Sequence, residues 1–264
     1  MSSVTSIANK AKQPQGGYLP LKTFQKISIP AHNCLQPDEN IHASLIGMTV
    51  HNLTHFILSS CLDSAFYTAE EGSYLLSLYS KNNKLDEAYK LKNKIRGLDD
   101  KSIINACKLA GYECIYRAGI HTYKPINEIN PNKTTIHNIR TMVENNLRFF
   151  TIYGPLIGCE YDFQGGYTQT ITKGNCDFVT DDGIWDIKTN KTPPTNKHSL
   201  QILIYYLLGI HSDNTALHQI SKIGIYNPRL NNAYIIAIKD IPKNIITSVE
   251  QDIIKRKSIK TQDL

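Results

Sequence analysis

Two aspartates and a lysine in one short stretch have the residue types of a metal-dependent hydrolytic site. Asp177 and Asp186 supply carboxylates, and Lys188 follows Asp186 by two residues. Two facing carboxylates repel each other unless a cation lies between them, and hard oxygen ligands suit Mg²⁺ or Mn²⁺. An adjacent lysine can orient or deprotonate a water molecule, or stabilise charge developing on a phosphate. These three residues therefore indicate a metal-dependent phosphodiesterase.

An Asp-Gly pair is expected to form the turn that brings these residues together. Asp182-Gly183 tolerates positive φ at both central positions of a hairpin turn, and apolar residues flank it on both sides. With this dipeptide as the loop, Val179 lies opposite Asp186, and Asp177 lies opposite Lys188. Since residues two apart on a strand share a face, the two carboxylates and the amine are predicted to project together. An exposed hairpin with a cross-strand ion pair is the structural alternative.

The residues on either side of this hairpin extend the pattern. Gly174 precedes Asp177 by three positions, and a helix is predicted from about Asn196 to Leu208. Gln201 and Tyr205 lie four residues apart on this helix and so share one of its faces. Taken singly, such residues are more typical of a helix surface or of the rim of a core.

Three spaced motifs therefore occur in order: Gly174-x-x-Asp177, Asp186-x-Lys188 and Gln201-x-x-x-Tyr205. The set resembles the PD-(D/E)xK nuclease superfamily, and within it the RecB-like branch. The resemblance implies that Asp177 and Asp186 hold Mg²⁺ or Mn²⁺ and that Lys188 serves the attacking water. It implies that Gln201 and Tyr205 support the site or the strand being cut. It also implies an α/β, restriction-endonuclease-like fold, in which helices flank a central mixed sheet, and an exonuclease that cuts DNA more readily than RNA.

Further metal ligands are candidates on several grounds. The backbone carbonyl of Ile187 lies between the Asp186 and Lys188 side chains, and Glu160 lies on a strand predicted beside the hairpin. The RecB-like branch also carries a histidine in a G-x-x-x-H pattern on an N-terminal helix, and Gly47–His51 fits that pattern. His51 and His55 are spaced like half of a zinc site, but the glutamate of the H-E-x-x-H motif is missing. A packing role is the alternative for both histidines, and an exposed strand charge is the alternative for Glu160.

The six cysteines do not match a metal-cluster pattern. Some RecB-like relatives hold an iron–sulfur cluster through one cysteine before the histidine helix and three after the Q-x-x-x-Y helix. Cys34 is placed like the first, but no cysteine follows Cys176, so no cluster is expected. Without a C-x-x-C pair or a secretory signal, the cysteines are expected to be reduced thiols, which favours a cytoplasmic protein.

A net charge of +6 and a pI of about 8.9 favour a polyanionic partner. Arg229, in a predicted second hairpin, and Lys92 and Lys94, in a lysine-rich helix, are candidates for contacts with the nucleic-acid backbone. A solvated helix face is the alternative for the lysines. Two other functions stay open, namely a non-cleaving nucleic-acid-binding protein on the same fold and a hydrolase of small phosphoesters.

Periodicity predicts helices first and a sheet afterwards. Residues 1–17 are expected to form a flexible basic tail and residues 18–264 a single nuclease-like domain, with a helical part at about 41–150 and a catalytic sheet at about 156–264. No run of 18 apolar residues occurs, so no membrane span is expected. Helices are predicted near 41–62, 70–80, 84–96, 100–110, 135–150, 196–208 and 242–257, and strands near 156–164, 167–173, 176–180, 184–189, 223–226 and 233–238.

Overall fold

The computed structural model describes residues 2–30, 33–80 and 83–256. Its contacts divide the chain into two compact units, whereas the sequence analysis predicts one domain from residue 18 onward. The sheet unit comprises Met1–Pro30 and Ile152–Leu264, and the helical unit comprises Ala31–Thr151. The helical N-terminal half is therefore a compact unit of its own, and it interrupts the sequence of the sheet unit.

The sheet unit is built on a mixed sheet of six strands, in the order β1-β6-β5-β4-β3-β2. The strands are β1 (Gln25–Ser28), β2 (Leu156–Tyr161), β3 (Cys176–Thr180), β4 (Gly183–Ile187), β5 (Lys222–Asn227) and β6 (Asn232–Ala237). Neighbouring strands are antiparallel except for β4 and β5, which are parallel. A parallel pair needs a crossover connection, and the helix α7 (Asn196–Gly209) supplies it. The predicted α/β class with a mixed sheet is confirmed.

One face of this sheet packs against α7. Val179 and Ile184 from the hairpin strands, together with Ile225 from β5, form a fully buried core with Leu203 and Leu207 of the helix. The opposite face buries Trp185, whose ring centroid lies 5.3 Å from that of Tyr153. Because successive side chains of a strand point to opposite faces, these core positions fix which face each polar neighbour occupies.

Helices make up most of the helical unit. They are α2 (Ala43–Ser59), α3 (Leu62–Ser77), α4 (Lys84–Lys92), α5 (Asp100–Ala118) and α6 (Lys133–Tyr153), whose last two residues belong to the sheet unit. The Asp99 side chain caps α5 by accepting a hydrogen bond from the Ser102 amide, and Gly119, with φ of 96°, ends it. All five helices were predicted, with ends that differ by up to eight residues.

Three sequence predictions are corrected here. Part of the proposed flexible tail is a helix, α1 (Val4–Lys10), because Val4 and Ala8 are buried against the sheet unit's core. The strand predicted at 167–173 is absent, and that segment is a loop with a single bridge between Lys173 and Ser3. The last helix is α8 (Lys243–Ser248) followed by a π-helical segment (Val249–Ile254), while its predicted end at Lys257 lies outside the described residues.

Short 3₁₀ helices occur at Leu21–Thr23, Ile120–Thr122, Ile126–Glu128, Thr215–Gln219 and Ile238–Asp240. In the part of the chain that the structure describes, no helix combines the length and the apolar character needed to cross a membrane.

Candidate active site

The hairpin that carries the two aspartates forms with a register different from the predicted one. Phe178 pairs with Trp185 and Val179 with Ile184, so Asp181-Asp182 is the turn and Gly183 begins β4. The prediction that Asp182-Gly183 forms the loop, with Asp177 opposite Lys188, is wrong by two residues. In the observed register Asp177 lies opposite Asp186.

Contacts with β5 and with Trp185 account for this register. The Asp182 carbonyl accepts hydrogen bonds from the amides of Ser221 and Lys222, at 3.0 and 3.1 Å, which ties the turn to the start of β5. Gly183 is not among the described glycines with positive φ, and a Cβ there would lie 2.9 Å from Nε1 of the Trp185 indole. The glycine therefore serves a close approach to the tryptophan, and the positive φ on which the turn prediction depends is not used.

A shift of two residues keeps each side chain on its predicted face, so the predicted grouping survives. Asp177, Asp186 and Lys188 project from the face that packs against α7. The Asp177 Oδ2 accepts a hydrogen bond from the Ile187 amide at 2.8 Å. The Lys188 Nζ lies 2.8 Å from Oδ1 and 2.7 Å from Oδ2 of Asp186. Asp186 is 1% exposed, whereas the Lys188 side chain is 19% exposed.

Gln201 and Tyr205 form a hydrogen-bonded pair on α7, above the carboxylates. The Gln201 Nε2 donates to the Tyr205 hydroxyl at 2.8 Å, and both side chains are buried. The Tyr205 ring stacks on Phe163, with centroids 5.5 Å apart. Burial, and then the negative charges of Asp186 and Asp177, raise the pKa of Tyr205 well above its ordinary value. The tyrosine is therefore a neutral phenol, close enough to both carboxylates for their charges to affect its pKa.

The N-terminal helix α1 contacts the Gln201–Tyr205 pair through Thr5. This helix lies in the segment for which the sequence predicts a flexible tail. The Thr5 Oγ1 accepts a hydrogen bond from Gln201 Nε2 at 3.2 Å. The signal was present, because Val4, Ile7, Ala8 and Ala11 recur at helical spacing. Ser3 also caps the helix by accepting from the Ser6 amide.

Gly174, the first residue of the three motifs, lies where α1 approaches the hairpin. Its φ is 152°, and a Cβ there would lie 2.7 Å from the Val4 side chain. Its carbonyl accepts a hydrogen bond from the Tyr167 hydroxyl at 2.7 Å, and the Val4 amide donates to the Lys173 carbonyl at 3.1 Å. Gly174 thus leaves room for α1 three residues before Asp177.

His198 lies at the start of α7 and close enough to Lys188 to sense its charge. It forms a capping box with Thr195, whose amide donates to His198 Nδ1 at 2.9 Å. Burial, followed by the charges of Lys188 and Lys197, lowers the pKa of His198 to about 4. The imidazole is therefore neutral at physiological pH and acts as an acceptor in the cap.

The donor atoms on this face fit a hard divalent cation. Asp177 and Asp186 offer carboxylate oxygens, and the Ile187 carbonyl is a hard oxygen between the Asp186 and Lys188 side chains. The Lys188 ammonium already lies against the buried Asp186 carboxylate, so this position accepts positive charge. Asp177, Asp186 and Lys188 thus group two carboxylates with one ammonium on this face.

Glu160, a predicted further ligand, lies on the neighbouring strand. The flanking pairs Cys159–Phe178 and Tyr161–Cys176 place Glu160 opposite Asp177. Its φ of 51° departs from extended geometry, so its side-chain direction is irregular. Burial, then the charges of Glu160 and Asp177, raise the pKa of Cys159 to about 12. Glu160, Asp177 and Asp186 therefore occupy neighbouring positions on β2, β3 and β4.

The predicted histidine ligand belongs to the helical unit. His51 and His55 lie on α2 with ring centroids 6.5 Å apart in an edge-to-face arrangement. His55 is 5% exposed, and its Nε2 lies 3.3 Å from the Ser64 hydroxyl. The burial of His55 is compatible with a packing role and with a ligand role, and the roles predicted for His51 and His55 stay predictions.

The predicted nucleic-acid contacts have different outcomes. Lys92 is 6% exposed and pairs with Asp63 and Glu70, so it is corrected from a phosphate contact to a buried ion-paired residue. Lys94, two positions further along, is exposed. Arg229, in the turn between β5 and β6, donates from Nε to the Thr189 carbonyl at 2.7 Å. Arg229 thus holds the segment that directly follows Lys188.

Positive charge is concentrated in the sheet unit. Its residue ranges contain sixteen Lys and Arg against eleven Asp and Glu, while those of the helical unit contain thirteen against twelve.

Comparison of the chain with protein-family models, with curated proteins and with solved structures gives no significant match.

Proposed function

We propose that the chain is a metal-dependent nuclease that hydrolyses phosphodiester bonds, with DNA as its favoured substrate. The observation that carries this proposal is the grouping of Asp177, Asp186 and Lys188 on one face of adjacent strands, with Tyr205 of the Gln201–Tyr205 pair close enough to be affected by both negative charges. Two carboxylates and an amine on one face suit metal-assisted attack on a phosphate, whereas a cross-strand ion pair needs one carboxylate only.

Asp177, Asp186 and the Ile187 carbonyl would hold Mg²⁺ or Mn²⁺. A divalent cation bound there supplies a Lewis acid for the scissile phosphate and lowers the pKa of a bound water molecule. The Ile187 amide orients the Asp177 carboxylate from within the hairpin, so one of its oxygens is fixed before substrate binds. Such preorganisation avoids a reorganisation cost at the moment of reaction.

Lys188 has two roles open to it, and its contacts favour one of them. Paired with both Asp186 oxygens, it presents an ammonium that can stabilise charge developing on the phosphate. Acceptance of a proton from the attacking water would require a neutral amine, which this ion pair disfavours. We therefore assign Lys188 to charge stabilisation and to orienting the water.

The neutral Tyr205 hydroxyl and the Gln201 amide complete the site. Both hydrogens of the Gln201 amide have acceptors within the protein, Thr5 and Tyr205, so the group that it can offer to substrate or water is its carbonyl oxygen. Tyr205 can donate its hydroxyl hydrogen, since burial and two negative charges keep it protonated.

Several features support a restriction-endonuclease-like arrangement and a RecB-like exonuclease on DNA. The mixed sheet carries its carboxylates on two adjacent strands, and the next helix along the chain carries the Gln-x-x-x-Tyr pair. The positive excess of the sheet unit suits a polyanionic substrate. Arg229 and the exposed Lys94 are the proposed backbone contacts.

A cleavage assay on linear and circular, single- and double-stranded DNA, and on RNA, tests the proposal. Reactions in Mg²⁺, in Mn²⁺ and in EDTA compare wild type with Asp186→Asn and with Asp181→Asn, a matched control on the exposed turn of the same hairpin. We expect metal-dependent cleavage by wild type and by Asp181→Asn, and cleavage reduced by roughly 10³-fold in Asp186→Asn. Circular substrates separate attack at ends from internal attack.

Other outcomes would replace the proposal. Binding of these substrates without cleavage under every condition would identify a nucleic-acid-binding protein. Turnover of small phosphoesters with a rate independent of polymer length would identify a small-molecule phosphodiesterase.

A further inference from the structure

The N-terminal helix is tied to the candidate site along its whole length. At its start, the Val4 amide donates to the Lys173 carbonyl, and the Ser2 carbonyl accepts from the Thr172 amide at 3.0 Å. Along its inner face, Val4 and Ala8 are 0% and 2% exposed within the core that includes α7. Helix α1 is therefore an integral part of the sheet unit's core.

The residues after α1 continue along α7 towards its N-terminus. The Gln13 Nε2 donates to the Asn196 carbonyl at 3.1 Å, and the Asn196 side chain donates to the Gly16 carbonyl at 2.7 Å. The Ser199 hydroxyl donates to the Leu19 carbonyl at 2.5 Å. These contacts hold the N-terminal segment in one position relative to the Gln201 side chain, one turn further along α7.

We propose that Thr5 is a positioning residue for the reaction, which holds the Gln201 amide in the orientation that the site uses. Thr5 Oγ1 accepts one hydrogen of that amide at 3.2 Å, and the Tyr205 hydroxyl accepts from the same nitrogen at 2.8 Å. A primary amide with both hydrogens directed to fixed acceptors cannot rotate without losing one of them. Gln201 therefore presents its carbonyl oxygen in a fixed direction because Thr5 and Tyr205 hold its nitrogen.

The position of Thr5 also favours this role over a packing role. Its side chain is exposed, while the neighbours Val4 and Ala8 make the buried contacts of the helix. The threonine hydroxyl therefore contributes through its interactions with the Gln201 amide and the Tyr205 hydroxyl, and loss of its methyl group should have little effect on packing. The expected effect on catalysis rests on the proposed function. The expected effect on the orientation of the Gln201 side chain rests on the Thr5–Gln201 contact and does not need that function.

The test uses the full chain as Thr5→Val, which removes the hydroxyl at similar size, and Thr5→Ser, which keeps it. Thr247→Val is the control, because Thr247 is an exposed threonine on α8 whose hydroxyl donates to the Lys243 carbonyl of its own helix. Side-chain amide resonances are recorded on protein labelled with ¹⁵N at glutamine, and the Gln201 pair is assigned by its loss in Gln201→Glu. Cleavage is measured in parallel under single- and multiple-turnover conditions.

We expect Thr5→Val to shift the Gln201 amide resonances and speed their hydrogen exchange, and to lower kcat about tenfold with KM within about twofold. Thr5→Ser and Thr247→Val should match wild type in both measurements. Unchanged Gln201 resonances and kcat in Thr5→Val, with thermal unfolding as in wild type, would overturn the proposal. Altered resonances in Thr5→Val, in a protein whose wild type cleaves nothing, would support the Thr5–Gln201 contact while the nuclease assignment fails.

Discussion

Among the residues that the structure describes, each unit buries one carboxylate almost completely, and the two are compensated in different ways. Glu113 of the helical unit accepts from Asn52 Nδ2 at 2.7 Å and from Arg117 Nε at 2.6 Å, so an amide and a guanidinium satisfy it. Asp186 of the sheet unit is compensated by Lys188, and Asp177 lies opposite it on the next strand. The first arrangement pairs one carboxylate with one guanidinium, whereas the second groups two carboxylates with one amine on a face that reaches solvent through Lys188.

This difference separates a structural buried charge from a candidate catalytic one. A guanidinium presents donors in a rigid planar fork and stays charged, so Arg117 is suited to balancing Glu113 on their shared helix α5. The Asn52 amide links the same carboxylate to α2. A lysine amine on a flexible stem can reorient when substrate or a cation arrives. Three predictions test whether the two carboxylates differ as proposed, and a fourth concerns the histidine at the start of α7.

The largest effect is expected from Asp186→Asn, which removes one carboxylate charge and keeps the shape of the side chain. Cleavage should fall by roughly 10³-fold, because the electrostatic stabilisation of the transition state is lost. Mg²⁺ or Mn²⁺ should raise the Tm of wild type and should not raise that of Asp186→Asn, since an ion that binds the folded state stabilises it by mass action. Single-turnover cleavage and thermal unfolding with and without metal check both parts, and cleavage by Asp186→Asn at the wild-type rate would contradict the assignment.

Removal of the cation should lower activity in the Asp186 cluster and leave it almost unchanged in the Glu113 cluster. Lys188→Met should lower cleavage by about 10²-fold, because charge on the phosphate loses its partner, and Lys188→Arg should recover part of that rate. Arg117→Met, the matched change at Glu113, should leave cleavage per folded molecule within about twofold. The measurement is kcat corrected for the folded fraction, with Lys191→Met, an exposed lysine three residues after Lys188, as a control. Equal losses in Lys188→Met and Arg117→Met would remove the proposed distinction.

Glu113→Ala should affect stability and spare activity. The change leaves the buried Asn52 amide without its carboxylate partner and opens a cavity, at a cost of about 2–4 kcal/mol in the free energy of unfolding. Urea unfolding measures that loss, and cleavage under conditions where the variant is folded measures the rest. A variant that is as stable as wild type yet inactive would place Glu113 in the chemistry.

The smallest effect concerns the histidine that caps α7. The folded protein holds His198 neutral down to about pH 4, while the unfolded chain takes up a proton near the ordinary value of 6.5. Between these values the unfolded state binds more protons, so stability falls as the pH is lowered through this window, by about 1–2 kcal/mol after allowance for partial exposure. His198→Gln keeps an acceptor at the third position of the helix and should flatten this part of the pH profile.

Thermal unfolding between pH 7 and pH 4 distinguishes the two proteins. His198→Ala serves as a control, since it should also flatten the profile but lower Tm at pH 7 by removing half of the capping box. A profile for His198→Gln as steep as that of wild type would assign the acid sensitivity to other groups.

Sequence by itself determined the type of most elements and the faces of their side chains. The period of two along a strand places Asp186 and Lys188 together in either register, and the period of the helix places Gln201 beside Tyr205. These relations are local, because they depend on the geometry of a single element. They account for the confirmed mixed sheet, for the helical N-terminal half and for the shared face of the candidate catalytic residues.

Only the tertiary structure decided how separate elements meet. The hairpin register depends on β5 and Trp185, which outweigh the preference of Asp182-Gly183 for a turn. Lys92 is buried because Asp63 and Glu70 of another helix converge on it, which the spacing of lysines along the chain does not reveal. Thr5 contacts Gln201 across 196 positions of sequence, because the apolar residues Val4 and Ala8 of α1 are buried in the core that contains α7. Such contacts depend on the burial of apolar surface summed over the whole unit. A short sequence pattern reports the burial within one element only, so it does not predict them.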